Sequence, residues 1–203
     1  MKDSTKRTTV IVDYKAGNLT SVKLAFAALG EEVSVTSDAE AVRQAARVVF
    51  PGVGAAASAM ANLHALGLEE AVRTAATDGR PFLGICLGMQ ILFGHSEEDG
   101  GVDLLGILPG RVRRFPDVPG CKVPEIGWNQ VRGLCMDGVP DGSEFYFVHS
   151  YYAERGADTV GTADYAGVLF TAAVRRGNLL ATQFHPEKSG RIGLALLKDF
   201  LSC

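Results

Sequence analysis

The chain has 203 residues, 47% of them hydrophobic, and a formal net charge of −3 at pH 7. This length and hydrophobic content predict one domain over residues 1–203 with a sizeable core, and the small negative charge gives no reason to expect a nucleic acid or a membrane surface as a partner. Four cysteines without a CxxC spacing predict neither a metal site nor a redox pair, so we expect no cofactor. No apolar run is long enough to cross a membrane and the polar residues 1–9 show no signal peptide, so we expect a cytoplasmic protein.

Strand-like and helix-like segments alternate along the first half of the chain. In chain order these segments cover about residues 8–12, 19–29, 33–36, 38–46, 48–50, 55–63, 68–77 and 81–83. Asn18 and Asp38 precede the first two helical patterns and are typical helix N-caps. Strands that alternate with helices predict a parallel sheet covered by helices on both faces.

A turn with a cysteine at its apex, Gly84-Ile85-Cys86-Leu87-Gly88, follows the apolar run and precedes a helix-like segment over residues 89–93. The glycines on either side of the cysteine remove Cβ atoms that would clash in so tight a turn. The arrangement is the cysteine form of a nucleophile elbow, and the start of a helix favours the thiolate. Free cysteine is also one of the most buried residue types, so Cys86 alone leaves a structural and a nucleophilic role open.

The second half of the chain has a different pattern from residue 106 to about residue 174. It contains more glycine and proline, little helical periodicity, and short β-type runs at residues 144–148 and 167–171. These runs predict antiparallel or mixed strands added to the sheet. The predicted fold class is therefore α/β, a three-layer sandwich with a mostly parallel central sheet and added antiparallel strands in the second half.

Near the end of the chain, a histidine and a glutamate lie in the segment Gln183-Phe184-His185-Pro186-Glu187, between a strand-like run and an amphipathic helix. His185 fits the base that takes the proton of a cysteine nucleophile, and Glu187 can accept a hydrogen bond from the other ring nitrogen. Pro186 makes the spacer stiff. Taken alone the motif is weak, because a histidine in a loop before a helix is more often a surface residue.

A glycine-rich turn, Pro51-Gly52-Val53-Gly54, follows the third predicted strand. The carboxyl ends of strands in an open α/β sheet form its ligand sites, so this turn and Cys86 should lie close together. The backbone N–H groups of Gly52, Val53 and Leu87 could hold an oxyanion that develops during acyl transfer. Alone the turn is an ordinary βα loop, but a nucleophile, a base, an orienting carboxylate and an oxyanion loop together make a stronger case.

Two segments, Gly84–Gln90 and Gln183–Glu187, resemble those of the class I (triad) glutamine amidotransferases. Other stretches, above all Gly127-Trp128-Asn129 and residues 146–151, are similar to the glutaminase subunits of imidazole glycerol phosphate synthase, and the resemblance covers about residues 9–201. It implies a flavodoxin-like fold and attack of Cys86 on the side-chain amide of glutamine. It also implies a heterodimer with a (β/α)8-barrel cyclase subunit of the HisF type, which uses the ammonia to make imidazole glycerol phosphate and AICAR from PRFAR in histidine biosynthesis.

The same resemblance implies roles for further residues. Those expected to bind glutamine are Gly54, Gln90, Glu98, His149, Ser150 and Tyr151. Those expected to contact the cyclase are Trp128, Asn129, Tyr146 and Lys188. A carboxylate such as that of Glu98 suits an α-ammonium group, and a closed subunit interface keeps neutral ammonia away from water.

The chain departs from the family pattern at two single residues and one short stretch. Lys15 stands where many relatives have a small residue, Glu125 where histidine is common, and Ala55-Ala56-Ala57 is plainer than in some relatives. We expect the first two to affect partner contact.

Three other functions stay open. A different triad glutaminase subunit, such as that of vitamin B6 synthesis, would lack the Gly-Trp-Asn stretch. A DJ-1-like cysteine protein would not need Glu187, and a non-enzymatic interaction module would be expected to have lost a triad residue.

Overall fold

The computed structural model describes residues 8–15 and 17–203, so most of the polar start of the chain, where the sequence predicts no signal peptide, lies outside the described residues. The helices of the described part are α1 (Leu19–Ala28), α2 (Ala39–Gln44), α3 (Ala56–Ala65), α4 (Glu69–Thr77), α5 (Leu87–Gln90) and α6 (Gly190–Leu201). Short 3-10 turns cover Glu98–Gly100 and Pro186–Lys188. The strands of the described part are β1 (Thr9–Val12), β2 (Val33–Thr36), β3 (Arg47–Gly52), β4 (Phe82–Cys86), β5 (His95–Ser96), β6 (Val102–Asp103), β7 (Arg111–Arg114), β8 (Glu125–Gln130), β9 (Glu144–His149), β10 (Tyr151–Ala153), β11 (Thr159–Tyr165), β12 (Val168–Arg176) and β13 (Leu179–Thr182).

The main sheet has a parallel half and a largely antiparallel half. Its spatial order is β2-β1-β3-β4-β13-β12-β10-β7-β5-β6, with β11 also paired to β12. Strands β2, β1, β3, β4 and β13 run parallel, whereas β12 pairs antiparallel with β13, β11 and β10. The predicted α/β class, with a mostly parallel centre and added antiparallel strands in the second half, is therefore confirmed.

Side chains that alternate along β1 show that the sheet has a core on each face. Val10 and Val12 pack with residues of α2, α3 and α4, whereas Ile11 packs on the opposite face with residues of α1 and α6. Since all four residues of β1 are buried, the strand is apolar on both faces, as strands of covered parallel sheets are. The helices on the two faces give the three predicted layers.

Four local predictions need correction. The run at 144–148 is not part of the main sheet: β9 pairs antiparallel with β8 in a separate two-stranded sheet. Strand β3 continues through Gly52, because Gly52 still pairs with Cys86 in β4. The helix after the cysteine has only four residues, so a long helix dipole does not act on the thiol. Asn18 precedes α1 but makes no capping hydrogen bond, whereas the Asp38 side chain accepts one from the Glu40 N–H, as predicted.

Within the described residues, no helix combines the length and apolar character that a membrane crossing requires. The same residues contain no group of three or more His, Cys, Asp and Glu side chains arranged to hold a metal ion.

Candidate active site

Cys86 lies at the carboxyl end of β4, between β3 and β13 in the parallel half of the sheet. Its φ is 55° and its ψ −111°, a strained backbone conformation of the kind that nucleophile elbows adopt. The two flanking glycines are required by close contacts: a Cβ at Gly88 would overlap the carbonyl oxygen of Phe50, and one at Gly84 would lie 3.0 Å from the Ala181 Cβ. The strand and the tight turn with the thiol at its apex are therefore as the sequence predicts, and Cys86 itself is buried at 6% exposure.

His185 and Glu187 meet just beyond β13, the strand that lies beside β4. The 3-10 turn over Pro186–Lys188 folds the glutamate back onto the ring, and His185 Nδ1 lies 2.7 Å from Glu187 Oε1. Both side chains are buried, at 1% and 0% exposure. His185 Nε2 is also buried and makes no hydrogen bond of good geometry among the described residues, so it is the nitrogen left to interact with Cys86.

Burial is the largest single influence on His185 and by itself lowers its pKa. The charge of Cys86 and its hydrogen bond, together with the hydrogen bond and charge of Glu187, outweigh that influence and raise the pKa from 6.5 to about 10. A ring with this pKa holds a proton readily once it has taken one from the thiol. The sulfur of Cys86 is thus one of the groups that influence the protonation of the His185 ring.

Strand β9 holds the segment that carries His185. The His185 N–H donates to the Tyr146 carbonyl oxygen at 2.9 Å. The Ser189 hydroxyl donates to the His185 carbonyl at 2.7 Å and accepts from the Tyr146 N–H at 3.0 Å. Ser189 is thus a supporting residue that sequence reasoning missed, because one of its partners, Tyr146, lies in a distant strand.

Asn18 is a second residue that sequence reasoning assigned differently. Its side-chain N–H donates a short hydrogen bond to Glu187 Oε1, the oxygen that also accepts from His185. The predicted cap is therefore absent because the amide is used across the fold, on a residue 169 positions away. This contact holds the same carboxylate oxygen that accepts from the ring.

The predicted oxyanion turn lies beside the cysteine. Gly52 pairs with Cys86 in the sheet, and Val53, Gly54 and Leu87 line the cavity over the sulfur. A Cβ at Gly52 would overlap the Tyr14 hydroxyl, which explains the glycine. That hydroxyl is buried without a partner among the described residues, and its burial, followed by the charge of Cys86, raises the tyrosine pKa well above its usual range.

A cavity of about 410 Å³ opens at Cys86 and collects every residue predicted to bind glutamine. Its lining includes Gly54, Gln90, Glu98, His149, Ser150 and Tyr151. Glu98 is half-buried; its burial raises the pKa of the carboxyl group, the Ala56 N–H lowers it and Asp99 raises it. Glu98 Oε2 accepts from the Ala56 N–H at 2.7 Å, so it caps α3 where Ala55 has no capping side chain, and its other oxygen remains for a ligand.

The His149 side chain is held by the protein rather than directed at the cavity. Its Nδ1 lies 2.8 Å from the Tyr151 carbonyl oxygen. Its Nε2 lies 3.0 Å from Glu125 Oε2, which is within ion-pair distance, but the angle does not allow a hydrogen bond. Both ring nitrogens of His149 therefore face acceptors within the protein. Any contact of His149 with a ligand in the cavity is therefore left to its main chain.

The two residues of β8 that are predicted to contact a partner, Trp128 and Asn129, lie on opposite faces of the strand. Trp128 is 55% exposed and shares its face of β8 with Ile126, which is 63% exposed. The Trp128 ring stands edge-on to the Tyr146 ring, with 6.2 Å between the ring centres. Lys188 Nζ lies 5.8 Å from the Tyr146 ring centre. Asn129 points to the other face, where it donates to Glu125 Oε1 at 2.8 Å.

Glu125 and Lys15, which depart from the family pattern, differ in burial: the first is buried and the second is exposed. Glu125 is buried at 3% exposure and paired with His149, so the expectation that it affects partner contact directly is not supported by its position. It lies on the inward face of β8, whose odd-numbered positions turn away from solvent. Lys15 is exposed, with a φ of 65°.

A thiol at the end of β4 and a histidine–glutamate pair just beyond the neighbouring strand β13, on this α/β fold, resemble the site of a triad amidotransferase. The family model described as "Glutamine amidotransferase class-I" matches residues 10–202. In solved structures the fold recurs in a protein titled "Crystal structure of glutamine amidotransferase", with a TM-score of 0.73 over 95% of this chain and 97% of that one, at 23% identity. "Structure of PurLQS from Thermotoga maritima" gives a TM-score of 0.70 over 96% and 97%, at 19% identity. At such low identity these structures support the fold alone.

Full-length relatives narrow the family further. A chain from Moorella thermoacetica named "Imidazole glycerol phosphate synthase subunit HisH" is 51% identical over 200 residues, which cover 96% of this chain and 94% of that one. The subunit of the same name from Methanothermobacter thermautotrophicus is 49% identical, over 94% and 96%. This chain belongs to the class-I glutamine amidotransferase family and, within it, to the HisH subunits.

Proposed function

We propose that this chain is the glutaminase subunit of imidazole glycerol phosphate synthase, which hydrolyses glutamine to glutamate and ammonia for a cyclase partner. The observation that carries the proposal is that the two nitrogens of the His185 ring have different surroundings. Glu187 holds Nδ1 at 2.7 Å, whereas the buried Nε2 is left to interact with Cys86. A base with one nitrogen fixed and the other directed at a nucleophile is what acyl transfer through a thiol requires.

The first half of the reaction forms a thioester. His185 Nε2 takes the thiol proton, and the thiolate of Cys86 attacks the side-chain carbonyl carbon of glutamine, so that a C–S bond forms and the carbonyl π electrons move to oxygen. We expect backbone N–H groups of the turn at Gly52 and Val53 and of Leu87 to hold that oxyanion, since Val53 and Leu87 line the cavity and Gly52 lies beside Cys86. When the intermediate collapses, the C–N bond breaks and His185 returns its proton to the departing ammonia.

The second half releases glutamate. His185 takes a proton from water, the hydroxide attacks the thioester carbonyl, and the C–S bond breaks with return of the proton to sulfur. Glu187 stays ionised and holds the ring, and Asn18 holds Glu187. The free oxygen of Glu98 suits the α-ammonium group of the substrate, and no cofactor takes part in any of these steps.

The ammonia must reach a second active site before water protonates it. We infer that the partner is a (β/α)8-barrel cyclase of the HisF type, bound as a heterodimer over Trp128, Tyr146 and Lys188. Support comes from the two large apolar side chains that β8 exposes side by side, Ile126 and Trp128, since exposed aromatic residues are enriched where proteins bind each other. Asn129 contributes through its backbone, because its amide is used inside. A reducing cytoplasm keeps the Cys86 thiol free.

Glutamine turnover by the purified chain, with and without the cyclase subunit and its ligand, tests the proposal. We expect low release of glutamate from the chain alone and strong stimulation by the liganded partner. A Cys86→Ser variant in the same complex is the control and should lose turnover. Equal rates with and without the partner would count against the synthase, and would favour a self-contained glutaminase such as that of another pathway.

A further inference from the structure

Gln183 opens the segment that carries His185 and is fully buried, yet the mechanism above gives it no task. Its side-chain Nε2 lies 3.7 Å from Cys86 Sγ, within hydrogen-bond distance for sulfur. We propose that Gln183 is a further catalytic residue, whose side-chain N–H donates a hydrogen bond to the thiolate of Cys86 and holds the sulfur for attack. The inference rests on the proposed function, because it takes this sulfur as the nucleophile.

The direction of this hydrogen bond follows from the neighbouring residues. Gln90 Nε2 lies 2.7 Å from the carbonyl oxygen of Tyr151, and a carbonyl can only accept, so this end of Gln90 is the NH2 group. The same NH2 lies 2.9 Å from Gln183, which must therefore turn its oxygen toward Gln90. The remaining end of Gln183 is its NH2 group, and it faces the sulfur.

A donor at this position favours one protonation state of the cysteine. A further polar neighbour of the sulfur, besides Gln183 and His185, is the Val148 carbonyl oxygen at 4.0 Å, which can accept only from the thiol. Once His185 has taken the proton, a carbonyl no longer suits the sulfur, and the N–H of Gln183 does. Hydrogen bonds to an ionised partner are about twice as strong as neutral ones, so the gain appears as the thiolate forms.

The hydrogen bonds also connect the sulfur to the wall of the cavity. From the Tyr151 carbonyl they run through Gln90 and Gln183 to Sγ, and Gln90 and Gln183 are almost fully buried. Tyr151 and Gln90 line the cavity in which glutamine is proposed to bind. The position of the nucleophile is therefore tied to the same main chain that faces the substrate.

The test compares Gln183→Met, which keeps the volume and removes the donor, with Gln183→Glu, which keeps the acceptor for Gln90 and replaces the donor by a carboxylate. Thr182→Val is the matched control, because it removes a buried hydrogen bond to the Phe184 carbonyl in the same segment without touching the sulfur. Iodoacetamide labelling of Cys86 is followed against pH by mass spectrometry of its peptide, alongside kcat and KM for glutamine in the complex with the cyclase.

We expect both Gln183 variants to move the pH midpoint of labelling upward by about one unit, a tenfold loss of thiolate at a given pH. Their kcat should fall about tenfold or more while KM changes little, and Thr182→Val should resemble the wild type in both measurements. Of the titratable side chains that interact with Cys86 in the described part, Tyr14 keeps its proton throughout because burial raises its pKa, which leaves His185.

Unchanged midpoints in both Gln183 variants would overturn the inference. A fall in kcat with no change in midpoint would also overturn it, because that result indicates a purely structural role. Failure of the proposed function looks different: the Cys86→Ser variant would then still hydrolyse glutamine, whatever the Gln183 variants do. Thermal unfolding of Gln183→Glu, whose shape matches glutamine, verifies that the labelling is measured on folded protein.

Discussion

Two buried clusters in this molecule have the same composition, an asparagine, a glutamate and a histidine. In the first, Asn18 donates to Glu187, which holds His185. In the second, Asn129 donates to Glu125, which pairs with His149. Both histidine side chains are almost completely buried, at 1% and 3% exposure.

The clusters differ at the second nitrogen of each ring. His149 turns both nitrogens toward acceptors, the Tyr151 carbonyl and Glu125, and its ring packs among Phe115, Phe147 and Phe170. His185 is held only at Nδ1, and its Nε2 is left for Cys86. A histidine–carboxylate pair is therefore not in itself a sign of catalysis, because only a ring with one uncommitted nitrogen can pass a proton.

The largest expected difference between the clusters is in turnover. His185→Gln removes the base and should lower kcat for glutamine about 10³-fold or more, a loss typical of triad residues. His149→Gln removes no proton acceptor and should lower kcat by less than about tenfold. Steady-state assays of both variants in the complex measure this. Similar losses in the two variants would show that the comparison is wrong.

The second largest effect is on stability, and we expect it in the cluster of Asn129, Glu125 and His149. Glu125→Gln removes the carboxylate that faces the buried Nε2 of His149, which should lower the free energy of unfolding by about 2 kcal/mol, because a buried polar group then loses its partner. Urea unfolding measures the change. The exposed pair of Glu40 with Arg43 is the control, because Glu40→Gln should move the urea midpoint very little. A Glu125→Gln protein as stable as the wild type would mean that the buried pair makes no net contribution.

The pH dependence of stability should depend on the first cluster. Because the folded-state pKa of His185 is raised from 6.5 to about 10, the folded protein binds a proton that the unfolded chain releases. Its contribution is complete below pH 6.5 and is lost as the pH rises through 10, with a slope of at most about 1.4 kcal/mol per pH unit. Urea unfolding from pH 6 to 11 measures this slope.

Cys86→Ala is the matched variant for that experiment, since it removes the charge that contributes most to raising the His185 pKa. Its alkaline slope should be flatter than that of the wild type, whereas Glu125→Gln should keep the wild-type slope. The same slope in the Cys86→Ala protein would show that the ring and the sulfur do not interact.

The smallest expected effect comes from the two asparagines. Asn18→Ala frees one side of Glu187 and should lower kcat about five- to tenfold, because a catalytic group that is less well oriented reacts more slowly. Asn129→Ala frees Glu125 in the same way and should change kcat less than twofold in the isolated chain. Asn18→Gln should also lower kcat, because its longer side chain would displace the Glu187 carboxylate. Equal effects at both positions would remove the distinction between the clusters.

Features that depend on contiguous residues were accessible from the sequence. The alternating strands and helices, the turn around Cys86 and the short spacer between His185 and Glu187 depend on local patterns and glycine sterics. Asn18, Gln183 and the burial of Glu125 depend on contacts between distant segments; Asn18 and Glu187 are 169 positions apart. No local pattern indicates that Asn18 leaves its helix cap unmade, or that β8 turns Glu125 inward while Trp128 faces solvent.

The central claim is that the sulfur of Cys86 accepts the acyl group of glutamine. Acid quenching of the complex during turnover, followed by mass spectrometry of the Cys86 peptide, tests it directly. We expect a mass increase of one γ-glutamyl group on that peptide in the wild type, and neither adduct nor glutamate release in Cys86→Ala. Glutamate release that continues undiminished in Cys86→Ala would contradict the account.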